Sequence, residues 1–324
     1  MEAGGAPVPP SRAEQTRRPI HHVFRRTAGV FSIDSFAMPT AVKNAHESKR
    51  RQKKRGDKPK KPKLADTADR HDLYQRSVQS VEDEVAFIDE RFGEIRGREL
   101  VSVREDFCGT AAMACAWAAH GPTKRAVGVD IDPEVLGWGR EHNVAALPEE
   151  ARRRVTLIEG DVFTVRTEPV DAVVAMNFSY WLFMERAKLL DYFRSLHRAL
   201  RPDGLLFLDA YGGYEAHQVI EEERECDGFT YVWDQADFDP ITHRMQCYIH
   251  FLFPDKSKMK KAFSYVWRLW SLPELKELLL GAGFTEVQFW WEGADEDGEG
   301  TGEFERVERG DADAGWICYL IALK

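Results

Sequence analysis

Cysteine is scarce in this 324-residue chain: Cys108, Cys115, Cys226, Cys247 and Cys318 are scattered, odd in number and include no Cys-x-x-Cys pair. Such a set offers neither a disulfide framework nor zinc-ligand spacing, and it fits a reduced compartment. His243 and His250 are too isolated to argue a metal site. Long hydrophobic runs are missing too. No stretch approaches the roughly 18 to 20 apolar residues that a membrane helix needs, and the N-terminus lacks the apolar core of a secretory signal. A soluble, cytoplasmic protein with no membrane partner is the expectation.

The apolar content of 43%, with 11% aromatic, is enough to bury one large core with an elaboration. The net charge of -9 conceals an asymmetry, because residues 1–63 carry 16 Lys+Arg against 5 Asp+Glu while the remainder carries 29 against 49. An acidic body repels phosphate backbones, which argues against nucleic acid as the substrate of its pocket. Residues 1–66, rich in Pro, Gly, Arg and Lys, read as a disordered basic tail. The run KRRQKKRGDKPKKPK at 49–63 suits nuclear import or RNA contact, and the arginines before Met38 suit organelle targeting. A solubilising tail, or a true start at Met38, explains the same composition.

From 67 to 324 the pattern is that of one domain. Val81, Val85, Ile88 and Phe92 share a helical face. Predicted strands at 100–104, 125–130, 154–158, 170–176 and 204–210 then alternate with helices at 110–120, 133–146 and 185–200, which argues for a parallel α/β sheet covered on both faces. Ligands of such sheets sit at the carboxyl ends of the strands. After Cys226 the alternation stops. Strand-like runs at 229–235, 244–253 and 261–270, separated by Asp-Pro and Pro-Asp turns, read as an antiparallel β meander inserted over 226–270. Ser271 and Glu274 form a capping box that restarts the helical pattern. Two final strands, 284–291 and 315–323, flank the acidic stretch EGADEDGEGTGE, read as a solvated loop.

The first strand runs into REDFCGTA, the second (RAVGVDID) ends in Asp130, 21 residues after Gly109, and the third ends in IEGDVF. Acids at the tips of three consecutive strands resemble the class I S-adenosylmethionine-dependent methyltransferases. In that family a D/E-x-G-x-G turn cradles the methionine end of the cofactor. The resemblance implies a Rossmann-like seven-stranded sheet with an antiparallel last strand, and S-adenosylmethionine as cofactor. It assigns Glu105, Phe107, Cys108, Gly109 and Thr110 to the cradle, Asp130 with Ile131 to the ribose, and Asp161 with Val162 to the adenine. Phe107 and Ala111 stand where the family's first and last glycines are expected. The EDFCGT form is also similar to a bacterial-type subgroup described mostly just as methyltransferases. Asp132, before Pro133, fits the cap of the following helix, and Asp130, at a strand tip, is expected to contribute little to packing.

The fourth strand ends in Asn177, Phe178, Ser179 and Tyr180. Asn-x-x-Tyr resembles the Asn-Pro-Pro-Tyr signature of methyltransferases acting on planar amines, without the prolines. It implies catalytic roles for Asn177 and Tyr180; equally, Asn177 contacts the cofactor and the aromatics are packing. Tyr180, Tyr211 and His217 are the candidate proton acceptors. In the meander, alternation places Phe263, Tyr265, Trp267 and Leu269 on one face and Arg268 and Trp270 on the other, which reads as core, as a dimer interface or as an aromatic lid over an acceptor pocket. The expected activity is methyl transfer to a small-molecule acceptor. Two alternatives stay open: a catalytically silent scaffold that binds RNA through its tail, and a nicotinamide-dependent oxidoreductase, whose Gly-x-Gly-x-x-Gly Phe107 interrupts.

Overall fold

In the computed structural model, residues 61–295 and 300–324 are described. The basic tail, its RNA and targeting readings and Met38 lie outside the described residues, apart from the last turn before 67. There regular structure begins slightly earlier than expected: α1 (Leu64–Thr67) is tied down by Leu64 and Ala65, whose amides donate to Asp255 Oδ2 at 2.9 Å and Ser257 Oγ at 3.0 Å. Helix α2 (Arg70–Val78) starts at Asp69, whose carboxylate accepts from the amides of His71 and Asp72. Helix α3 (Val81–Arg96) buries Val85, Ile88 and Phe92 on one face, as the spacing predicts, and stops at Gly97 in the left-handed region.

The alternating segments form β1 (Ser102–Asp106), α4 (Ala112–His120), β2 (Arg125–Asp130), α5 (Pro133–Gly139), α6 (Glu149–Arg152), β3 (Val155–Glu159), β4 (Val170–Ala175), α7 (Arg186–Ala199) and β5 (Leu200–Gly212). The first five strands pair in parallel in the order β5-β4-β1-β2-β3. Because β1 pairs with both β2 and β4, the strand order reverses there, and the crevice this leaves opens at the carboxyl ends. Helix α8 (Leu272–Ala282) carries the predicted Ser271–Glu274 capping box. It leads to β10 (Glu286–Ala294), β11 (Gly300–Val307) and β12 (Trp316–Leu323), with β12 antiparallel between β5 and β10. The sheet is therefore the expected seven strands with an antiparallel last strand, plus β11 as an eighth at the edge. That edge strand occupies part of the stretch read as a loop. An edge strand needs one partner and one covered face, so its glycines and acids mask it.

Four strands, not three, make the second sheet: β6 (Ile220–Cys226), β7 (Phe229–Phe238), β8 (Arg244–Leu252) and β9 (Lys258–Arg268), antiparallel throughout. The sequence IEEEREC of β6 reads as polar, yet every second residue turns inward. Registered pairs Glu222–Trp233, Trp233–Ile249 and Ile249–Phe263 put these side chains on one face. As expected, Phe263, Tyr265 and Trp267 are buried together. Trp270 is buried too, beneath the Arg268 guanidinium at 3.7 Å.

Asp171 ties β4 to β1 at the end of the sheet away from the strand tips. Its carboxylate, fully buried, accepts from the amide and hydroxyl of Ser102 and from Arg98 and Arg201. Asp171→Ala should lower unfolding free energy by about 3 kcal/mol, because a buried amide and two guanidinium groups lose their acceptor. Urea titration reads this, and ligand affinity should stay unchanged.

Candidate functional site

At the end of β1 the chain turns through alternate left-handed residues, Phe107, Gly109 and Ala111, with φ of 59°, 52° and 57°. These are the three positions at which a glycine-rich turn has its glycines, so the backbone geometry persists where two of the glycines do not. A non-glycine residue there costs of order 1 kcal/mol and persists only when its surroundings hold it. Phe107 is held by its ring, 5.9 Å from Phe183 and 5.8 Å from Tyr192. Cys108 turns inward against Gly128, where a Cβ would meet its Sγ at 2.9 Å, so its side chain does not face the crevice. Thr110 is buried, and its carbonyl accepts from Asn143 Nδ2 at 2.8 Å beneath Gly139. A Cβ on Gly109, by contrast, would meet nothing within 4 Å. That face of the turn is open, a cradle that a side chain would fill.

Glu105 points into the start of α4 and accepts from the Ala114 amide at 3.0 Å. It thereby satisfies one of the helix's free N–H groups where Ala111 has no capping side chain. Burial pushes its carboxyl well above the ordinary range, and the charges of Glu84 and Asp130 push the same way. Asp130 departs from expectation. It is 1% exposed, and its oxygens accept from the Gly109 amide at 2.7 Å and the Asp132 amide at 3.0 Å. It therefore pins the β1 turn as well as marking the tip of β2, and a strand-tip position does not make it dispensable for stability. Burial raises its pKa to about 6 against the lowering effect of those two amides. Asp132 caps α5 by accepting from the Glu134 amide, as predicted. Beside them Ile131 stands 52% exposed.

At the tip of β3, Asp161 is exposed and accepts from the Phe163 amide at 2.9 Å, while Val162 is buried. The Val162 carbonyl accepts from Arg104, whose guanidinium also binds Asp106 at 2.6 Å; Tyr192 donates to the same carboxylate. This buried group anchors the third tip to the first. Its signal in the sequence was two charges, at positions 104 and 106, on one face of a central strand.

The tip of β4 repeats the device seen at β1. Asn177 and Phe178 have φ of 63° and 53°, and both their amides donate to the Asp209 carboxylate of β5, at 2.6 and 2.9 Å. Asp209 is the residue that sequence reasoning missed; an acid in the otherwise apolar LLFLDA was the available clue. Tyr180 is fully buried and donates to the Asp209 carbonyl at 2.7 Å, so it supports the turn and does not face the crevice. Asn177 is 9% exposed, and its Oδ1 has no hydrogen-bond partner among the described residues. Of the other candidate proton acceptors, Tyr211 is buried with its hydroxyl 3.4 Å from Gln235 Oε1, and His217 is exposed against the Gly213 carbonyl. Phe178 and Trp181 pack on Tyr211, and Trp181 also meets Trp267 of the second sheet.

Asp209 yields a pH test. Its pKa rises from 3.8 to about 8, chiefly through burial and against the two amides. A carboxyl with a raised folded-state pKa contributes stability that is fully present below its unfolded pKa and lost as pH rises through the folded one. Between about pH 5 and pH 9 the wild type should lose stability relative to Asp209→Asn, at a limiting slope of about 1.4 kcal/mol per pH unit. Urea unfolding of both at pH 5, 7 and 9 measures the gap; parallel curves would mean that Asp209 titrates normally.

Residues 106–208, from the last residue of β1 nearly to the end of β5, match the family model described as "Methyltransferase domain". YqeM of Bacillus subtilis strain 168, itself a methyltransferase by name, is 21% identical over 187 residues, covering 55% of this chain and 70% of YqeM. An S-adenosylmethionine-dependent methyltransferase from Clostridium acetobutylicum superposes with a TM-score of 0.57 at 15% identity, over 78% of this chain and 96% of its own. CalS10, an amino pentose methyltransferase from Micromonospora echinaspora solved with S-adenosylmethionine bound, gives 0.55 at 17% identity, over 78% and 95%. At these identities the structural likeness is one of fold. The chain thus has the fold of S-adenosylmethionine-dependent methyltransferases, and the segment that matches the methyltransferase-domain model holds the turns at the tips of β1 to β4.

Proposed function

We propose that this chain is an enzyme that moves the methyl group of S-adenosylmethionine to a small-molecule acceptor. The observation that carries this reading is the open cradle at Gly109, flanked by Asp130 and Ile131 on one side and by the partnerless amide oxygen of Asn177 on the other. When bound, S-adenosylmethionine supplies a methyl group already activated on a sulfonium. The open face of Gly109 admits the methionine moiety, and Asp130 has lone pairs left for ribose hydroxyls. Ile131 offers an apolar surface to the base, with Asp161 and the Val162 amide at its edge. Asn177 Oδ1 accepts a hydrogen from the incoming nucleophile and so holds it in line with the methyl group. Fixing the reactants in this way is worth about 7 to 11 kcal/mol of barrier in well-oriented reactions.

Phe178, Trp181, Tyr211 and Trp267, buried against one another behind the β4 turn, exclude water from its far side. Tyr180 and Asp209 act through Asn177, as positioning residues. A small acceptor fits a crevice beside which the second sheet packs, Trp267 against Phe178 and Trp181, and an acidic body with 29 Lys+Arg against 49 Asp+Glu after residue 63. That CalS10 acts on an amino pentose supports the same size class. Among the described residues no helix is long and apolar enough to cross a membrane, and no group of three or more His, Cys, Asp or Glu is arranged to hold a metal.

Calorimetric titration with S-adenosylhomocysteine and with NAD tests the reading. The wild type should bind the first and not the second. Asp130→Asn should weaken S-adenosylhomocysteine by roughly tenfold to a hundredfold, the loss of a charged acceptor for hydroxyl donors. Ribose hydroxyls need the ionised carboxylate, so wild-type affinity should fall as pH drops below about 6, by up to tenfold per unit, and Asp130→Asn should show no such fall. Preference for NAD, or equal affinity in the variant, would overturn the assignment.

A further inference from the structure

Apart from Gln235 of β7, which donates to the Ala216 carbonyl, the inner face of the second sheet is apolar except along its edge strand. There Glu222 and Arg224 face the same side as Trp233 and Tyr231, the residues they pair with in register. Arg224 donates to the Ser77 carbonyl and lies 5.3 Å over the Tyr231 ring, with its buried Nε left without a partner among the described residues. Glu222 is half-buried, and the charge acting on its carboxyl is that of another acid, Glu215. Glu215 Oε2 is shut off from solvent with no partner among the described residues. The Tyr231 hydroxyl, in a side chain 1% exposed and within reach of the Glu222 charge, likewise has none. Two carboxyl groups and a buried hydroxyl thus share this corner of the sheet, and neither carboxyl is paired with a cation among the described residues, Arg224 lying over the Tyr231 ring instead. Burial, reinforced by Glu215, raises Glu222 to about 8, the condition that an ordered positive charge relieves.

This group adjoins the methyl-transfer crevice. Tyr211, whose hydroxyl also feels the Glu222 charge, packs its ring 4.7 Å from Phe178, the neighbour of Asn177. We propose that Glu222, Glu215 and Tyr231 form a subsite for an ammonium group of the acceptor, one aromatic ring away from the atom that is methylated. Three acceptors match the three N–H donors of an ammonium, and the flanking rings of Tyr211 and Trp233 suit a cation attached to an apolar body. The assignment rests on the methyltransferase reading only in calling the occupant an acceptor; the subsite itself is tested by binding.

The probes are benzylammonium and benzyl alcohol, which share a ring and differ in charge. Each is titrated at pH 7 into the full chain, with and without saturating S-adenosylhomocysteine. Benzylammonium should bind about tenfold tighter or more. Glu222→Gln should abolish the preference and Glu215→Gln should reduce it, with S-adenosylhomocysteine affinity unchanged in both. Equal affinity of the two probes for the wild type, or a preference that survives Glu222→Gln, overturns the subsite. Should Glu222→Gln melt abnormally, Glu215→Gln and the wild-type comparison decide. Failure of S-adenosylhomocysteine to bind would count against the enzymatic reading and would leave the probe comparison valid, because that comparison is also made on the free chain.

Discussion

Each strained turn at the crevice is held by a carboxylate from the neighbouring strand. Asp130 of β2 takes the amide of Gly109 in the β1 turn, and Asp209 of β5 takes the amides of Asn177 and Phe178 in the β4 turn. β1 and β4 are the two strands between which the order reverses, so the two turns face each other across the crevice. Left-handed backbone at four non-glycine positions is an unfavourable choice for each residue alone. It persists because hydrogen bonds to a buried carboxyl in a low dielectric are strong and because the carboxyl groups reach their partners from rigid strands. The crevice is therefore as well formed as the sheet beneath it.

The same arrangement gathers carboxyl groups where ionising them is expensive. Glu105, Asp130 and Asp209 are all buried, all have raised pKa values, and burial is the first cause in each. Asp106 differs in having Arg104 beside it on the same strand. A site that collects acids without matching cations favours ligands that bring positive charge, and a sulfonium donor with its ammonium does so. The cost of burying the acids is then part of the selectivity, since a neutral ligand of the same shape leaves it in place.

How much of this the sequence disclosed follows from which forces leave a periodic trace. Alternating apolar runs report burial, and they place β1 to β5, α3 and α7 within a few residues of where they lie. Asp132 was legible as a cap because capping is local, whereas Glu105, Gly109, Asp130 and Asn177 were singled out by the resemblance of their strand-end motifs to those of a known family. Tertiary partners leave no such trace. Nothing local says that Asp130 bonds Gly109 across two strands, that Tyr180 turns to the Asp209 carbonyl, or that Cys108 faces Gly128. The edge strands β6 and β11 escaped for the converse reason: with glutamates or glycines at most positions, they depend on pairing more than on burial.

The second sheet illustrates how a single edge strand changes what a pocket selects. Its inner face is built from Trp233, Ile249, Phe263, Tyr265 and Trp267, and a face of that kind alone would discriminate by shape. Apolar discrimination is weak, about 1 to 3 kcal/mol per methylene, whereas a buried polar group left unsatisfied by the wrong ligand discriminates far more strongly. Placing Glu222 on that face costs desolvation and gains no partner within the sheet. A fold that needed only to cover the aromatic residues would put an apolar side chain there, as it does at Ile220 on the same strand and facing the same way. The contrast between Ile220 and Glu222 separates what the sheet requires for packing from what it carries for recognition.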